Sequence, residues 1–139
     1  MKLAYLLDTN VICEPLRPAP DAAVLAMLRA HAGACAVPAP VWHELWFGCR
    51  RLPVSPRRAT IEQYLVQVLG STLPILPYEL RAASWHAAER ARLAAAGQTP
   101  PFVDGQIAAV AAVHGLTLVT FNRRDFLAFQ GLVVEDWRG

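Results

Sequence analysis

Four stretches of this chain put oxygen-bearing side chains where chemistry could use them. Asp8 ends the apolar run Leu3–Leu7 and is followed at once by Thr9 and Asn10. Such a run reads as a buried strand, and in open α/β sheets ligands collect outside the carboxyl ends of strands. Asp104 sits in the first turn of a helical pattern over 102–114, close to an inward stripe through Ile107 and Ala111. Asn122 and Asp125 follow a second apolar run, Leu116–Thr120, again at its carboxyl end. Glu44 falls on a helix after the second strand, on the far side of the stripe Trp42, Leu45, Trp46 and Cys49, with Gly48 one turn on.

Each of these has an ordinary structural reading. Asp8 could be an Asx turn or cap, Asp104 a first-turn acid answering the helix dipole, Glu44 a solvated surface residue, and Asn122 and Asp125 turn residues. Those readings treat the acids as independent. The topology instead places Asp8, Asp104 and the 122–125 turn around one end of a sheet. Carboxylates crowded together repel unless a cation sits between them. Oxygen-rich pockets of this kind hold Mg²⁺ or Mn²⁺, a usual apparatus for cleaving phosphodiesters.

The elements that must position these groups alternate. Strands are expected at 3–7, 34–37, 73–76, 116–120 and 132–135, the third short because of Pro74. A helical turn spans 11–16 and a helix runs from Pro20-Asp21 to about His31. The next follows Pro38 and Pro40 to about Arg51, and another starts at the Ser55-Pro56 cap and ends at Gly70. Further helices cover 80–96 and 102–114, the second with His114 closing its inward stripe. Strand–helix alternation in this order predicts a parallel sheet covered on both faces, a three-layer α/β/α domain over 1–139.

Composition narrows the class. Of the 139 residues 55% are hydrophobic and 17% charged, which suits a packed globule and not a disordered chain. A net charge of +2 announces no global nucleic-acid field. Cys13, Cys35 and Cys49 lack metal-ligand spacing and read as reduced, small hydrophobes of a cytoplasmic protein. No stretch is long enough to span a bilayer, and Asp8 interrupts the N-terminal run that might mimic a signal peptide. All four histidines read as structural or surface residues. Arg50-Arg51, Arg57-Arg58 and above all Arg123-Arg124, beside the acids, are candidates for RNA phosphate contact. Trp42, Trp46 and Phe47 exceed what one core face needs, which suggests a partner surface.

The segments LLDTNVI, HELWFG and PFVDGQIAAVAAVHGLTLVTFNRRDF, in this order, resemble the PIN-domain ribonucleases, and most of all the VapC-like toxins of bacterial toxin–antitoxin pairs. The resemblance covers essentially the whole chain. It implies that Asp8, Glu44 and Asp104 bind the metal, Glu44 directly or through water. Many members carry another aspartate where this chain has Asn122, so Asn122 or Asp125 completes the site. Thr9 and Thr120 become hydroxyls that orient carboxylates or a water, and Asn10 a residue that holds the turn. The resemblance further implies an endoribonuclease that leaves a 5′-phosphate and a 3′-hydroxyl, a cognate antitoxin and a homodimer.

Two other readings compete. A haloacid-dehalogenase-like phosphatase also ends its first strand in an aspartate, but it needs a second acid where Asn10 stands and a lysine near a late strand, whereas Lys2 is the sole lysine. A non-catalytic PIN-like module that binds RNA or protein is the other, since Asn122 thins the acid set.

Overall fold

The computed structural model describes residues 2–69 and 71–139. Five parallel strands form its sheet: β1 (Tyr5–Leu7), β2 (Cys35–Pro38), β3 (Ile75–Leu76), β4 (Thr117–Val119) and β5 (Val134–Glu135). Their order is β3-β2-β1-β4-β5. The helices are α1 (Thr9–Cys13), α2 (Ala22–Ala30), α3 (Ala39–Arg50), α4 (Pro56–Val68), α5 (Leu80–Ala95) and α6 (Phe102–His114). Together they make the expected three-layer α/β/α arrangement. Short 3₁₀ turns cover Glu14–Leu16 and Arg123–Phe126.

The strands are shorter than their apolar runs. Leu3, Leu73, Leu116 and Leu132 lie outside the ladder but still pack on the core. Burial reaches further along the chain than strand pairing does, so hydrophobicity overstates strand length. Asp21 caps α2, accepting from the Ala23 and Val24 N–H groups, and Ser55 caps α4 through the Arg58 N–H. The expected stop at Gly70 lies outside the described residues; α4 ends at Val68 with Leu69 as its C-cap.

α6 is the central helix. Ile107, Ala108, Ala109, Val110 and Ala111 are all buried in succession, so the helix is enclosed on every side over that stretch. Alanines there allow close approach to the sheet and to α5. His114 is exposed, contrary to its expected place in the inward stripe. It stands in the last turn, just before Gly115, whose φ of 65° supplies the left-handed cap.

Candidate functional site

The strand order reverses between β1 and β4, and ligands of open α/β sheets bind at such reversals. Asp8 follows β1 and Thr120 follows β4, so both face this crevice. Thr120 Oγ1 donates to Asp8 Oδ2 at 2.8 Å and itself accepts the Asn122 N–H at 3.0 Å. Asp8 Oδ1 accepts the Thr9 N–H at 2.8 Å. The carboxylate therefore caps α1 and bridges the reversal at once, and the capping and functional readings of Asp8 describe one group. Asp8 is 8% exposed and Thr120 fully buried.

Thr9 carries the next link. Its hydroxyl donates to Glu44 Oε2 at 2.9 Å, which draws α3 onto the end of β1. Glu44 is half-buried and not a solvated surface residue. The reason is the orientation of α3. Its buried positions are Val41, Leu45 and Cys49, while Trp42 is 37% exposed. The stripe expected through Trp42 and Trp46 is thus turned around the helix axis, which carries Glu44 from the far side to the flank of the packed face.

Asp104 is half-buried in the first turn of α6. Its carboxyl is pushed up to about 6, first by burial and then by the charges of Asp8, Asp125 and Glu44. Four acids from four segments therefore share one field. Among the described residues, the ion pairs use Glu14, Glu62, Glu89 and Asp136, and none involves these four.

Such a set fits a hard divalent cation, because its donors are all oxygen and no ion pair among the described residues engages them. Among the described residues, no three acidic, His or Cys side chains are gathered into a ready-made ligand cluster. An ion here would complete its shell with water, as Mg²⁺ commonly does.

The remaining candidates are placed as follows. Asn10 is exposed in the first turn of α1. Asn122 is exposed, and its backbone carbonyl accepts the Asp125 N–H at 3.0 Å. Arg123 and Arg124 are exposed on the 3₁₀ turn that carries Asp125. Cys13, Cys35 and Cys49 are free thiols, the last two buried.

Sequence reasoning placed the helix α5 and read His86 as a structural or surface residue, but gave α5 no part in the site. His86 is buried against Gly105, beside Asp104, and its Nδ1 meets the Tyr78 hydroxyl at 2.9 Å. Farther along, Glu89 pairs with Arg92, whose Nη2 also donates to the Ala128 carbonyl at 2.8 Å. A lone histidine in an alanine-rich helix gives no signal. Gly105 did give one: a glycine inside a helix costs about 1 kcal/mol against alanine and often marks a close approach.

Residues 5–132 match the PIN domain family, and the chain belongs to it. It is 33% identical over 138 residues to a VapC ribonuclease, Y4jK of Sinorhizobium fredii, covering 95% of this chain and 96% of that one. The crystal structure of FitAcB from Neisseria gonorrhoeae superposes with a TM-score of 0.85 at 32% identity, over 94% of this chain and 95% of that one. VapBC-5 of Mycobacterium tuberculosis, a member of the VapBC family of toxin–antitoxin systems, superposes with a TM-score of 0.71 at 29% identity, over 98% of both chains. Family membership displaces the phosphatase reading.

Proposed function

We propose that this protein is a divalent-metal-dependent endoribonuclease, the toxin of a toxin–antitoxin pair. The observation that carries the reading is Asp104, whose carboxyl is raised by burial and then by the charges of Asp8, Asp125 and Glu44, none of which is in an ion pair among the described residues. Asp8 and Asp104 hold Mg²⁺ or Mn²⁺, and Glu44 assists directly or through water. When bound, the ion supplies Lewis acidity to the phosphodiester and acidity to the attacking water.

The chain's own residues do the rest. Thr120 fixes Asp8 Oδ2, and Thr9 fixes Glu44, so two acids are aimed before any ligand arrives. Asp125 completes the acid set in place of the family's aspartate at position 122. Arg123 and Arg124, free of ion pairs among the described residues, hold RNA phosphate. The ribonuclease name of the Sinorhizobium relative supports RNA as substrate.

An antitoxin restrains the activity. A cleft of about 650 Å³ between α1, α3 and α4 is lined by Leu45, Ile61 and Leu65, by Thr9 and Glu44, and by Arg17 and Arg57. An apolar segment matches those leucines and Ile61, and an arginine or lysine on it could meet Glu44. The toxin–antitoxin description of the Mycobacterium neighbour supports such a partner. No helix among the described residues is long and apolar enough to cross a membrane. An RNA substrate makes the cytoplasm the place of action, and exposed Phe47, Leu80 and Phe102 give a homodimer apolar surface to bury.

The test is cleavage of structured RNA by wild type and Asp8→Asn, each with chelator, Mg²⁺ and Mn²⁺. Wild type should cut only with metal, leaving 5′-phosphate ends, and folded Asp8→Asn should not cut. A folded Asp8→Asn protein that cuts at the wild-type rate would remove Asp8 from the site. A wild type that binds RNA and cuts none would leave a non-catalytic PIN module.

A further inference from the structure

α6 begins without the usual fastening. Pro101 is its N-cap and no side chain caps the first turn, although Asp104 stands in that turn. Four N–H groups at a helix start lack intrahelical partners, so an uncapped turn frays unless packing holds it. Here the packing comes from α5. A Cβ placed on Gly105 would lie 2.1 Å from His86 Nε2 and 2.6 Å from Cδ2, so only glycine lets the ring lie flush on the turn.

The ring cannot easily give way. It is 3% exposed. The Tyr78 hydroxyl holds Nδ1 at 2.9 Å, and the Phe102 ring packs on it with centroids 4.8 Å apart. The Arg90 guanidinium lies over Phe102, 5.2 Å from its centroid. The helix start is thereby gripped on both sides of Asp104, at residues 102 and 105.

We propose that His86, pressed against Gly105, is a positioning residue that seats the uncapped first turn of α6 and thereby aims Asp104. Its consequence for metal binding rests on the ribonuclease reading above; its effect on the turn does not.

Two measurements on the full chain test this: amide hydrogen exchange along α6, and Mn²⁺ affinity by calorimetry. Gly105→Ala should speed exchange in residues 105–108 while the second half of α6 stays protected. Mn²⁺ affinity should fall about 10–100-fold, as when other supporting contacts of metal ligands are lost. His86→Ala removes the ring and leaves Gly105 in place, so it should move both readouts in the same direction as Gly105→Ala. Tyr78→Phe keeps the packed volume, so it folds, and it should shift both readouts in the same direction by less.

The proposal is overturned by a Gly105→Ala or a His86→Ala protein with wild-type exchange, or by exchange that rises evenly through α5 and α6, the mark of a merely structural contact. A wild type that binds no Mn²⁺ would end the metal reading, while the exchange pattern still decides the role of His86.

Discussion

Asp104 makes the metal-free protein sensitive to pH in a definite direction. Its carboxyl, ordinarily near 3.8, is raised to about 6 by burial and neighbouring acids. An acid raised on folding favours the folded state most when protonated. Its contribution is complete below about pH 4 and is lost as pH rises through about 6. Glu89 acts oppositely: the Arg92 hydrogen bonds hold it below its ordinary value of 4.5, so its contribution is present above that value and lost as pH falls. Thermal melts with chelator should therefore weaken from pH 5 to pH 7.5, and weaken again in stronger acid. Thr120 offers a second check at this scale. Thr120→Val keeps the shape and removes the hydroxyl that holds Asp8, so Mn²⁺ affinity should fall about 10–100-fold with little change in fold. Between the two residues that could complete the acid set, Asp125 contributes to the charge on Asp104, whereas Asn122 serves through its backbone. Asp125→Ala should cost clearly more RNA cleavage than Asn122→Ala, and the reverse ranking would give Asn122 the direct role.

At the scale of elements, α5 braces the site from behind. Beyond His86, Glu89 accepts from Arg92 and from the Gln130 N–H at 2.7 Å, while Arg92 reaches the Ala128 carbonyl. These bonds tie α5 to the loop that follows the Asp125 turn. Glu89→Ala leaves the Gln130 N–H without this acceptor and should lower the midpoint of a denaturant titration, since it removes hydrogen bonds that tie α5 to that loop. The helices were the most readable elements, and the pattern over Phe102–His114 matches α6 from end to end. Strand ends were less legible, because Leu3 and Leu116 are apolar for packing and not for pairing. α3 was misread in rotation. Tryptophan reads as core in the sequence, yet the Trp42 and Trp46 rings pack on each other, tilted, with centroids 5.9 Å apart, beside the packed face. That misread rotation favoured the ordinary reading of Glu44 as a solvated residue, although the family resemblance made it a metal-binding acid. A glycine inside a helix, as at Gly105, is a signal of close approach that names no partner, since His86 lies 19 positions earlier and meets it only in the fold.

For the whole molecule, the topology does the gathering. A 3-2-1-4-5 sheet brings residues 8 and 120 to adjacent strand ends, and the links Thr120–Asp8 and Thr9–Glu44 then join three segments with two hydroxyls. Alternation of strands and helices made this arrangement legible, as it did the meeting of Asp8, Asp104 and the 122–125 turn. The same arrangement leaves the acid cluster beside the apolar cleft between α1, α3 and α4. An antitoxin that fills both should lose affinity when Glu44 becomes Gln, and the loss should shrink as salt rises.

The central claim is that these acids share one field that a cation would neutralise, and melting curves of wild type and Asp104→Asn reach it most directly. With chelator at pH 7.5, Asp104→Asn removes a charge that three acids repel, so the variant should melt higher than wild type. Loss of the first-turn charge opposes this by only about 0.3–1 kcal/mol. At pH 5, below the midpoint of about 6, Asp104 is largely protonated and the advantage should shrink. Mn²⁺ should raise the wild-type melting temperature by mass action and leave the variant nearly unmoved. A variant that melts lower than wild type in chelator, together with a wild type indifferent to Mn²⁺, would contradict the account and leave Asp104 as an ordinary helix-start acid.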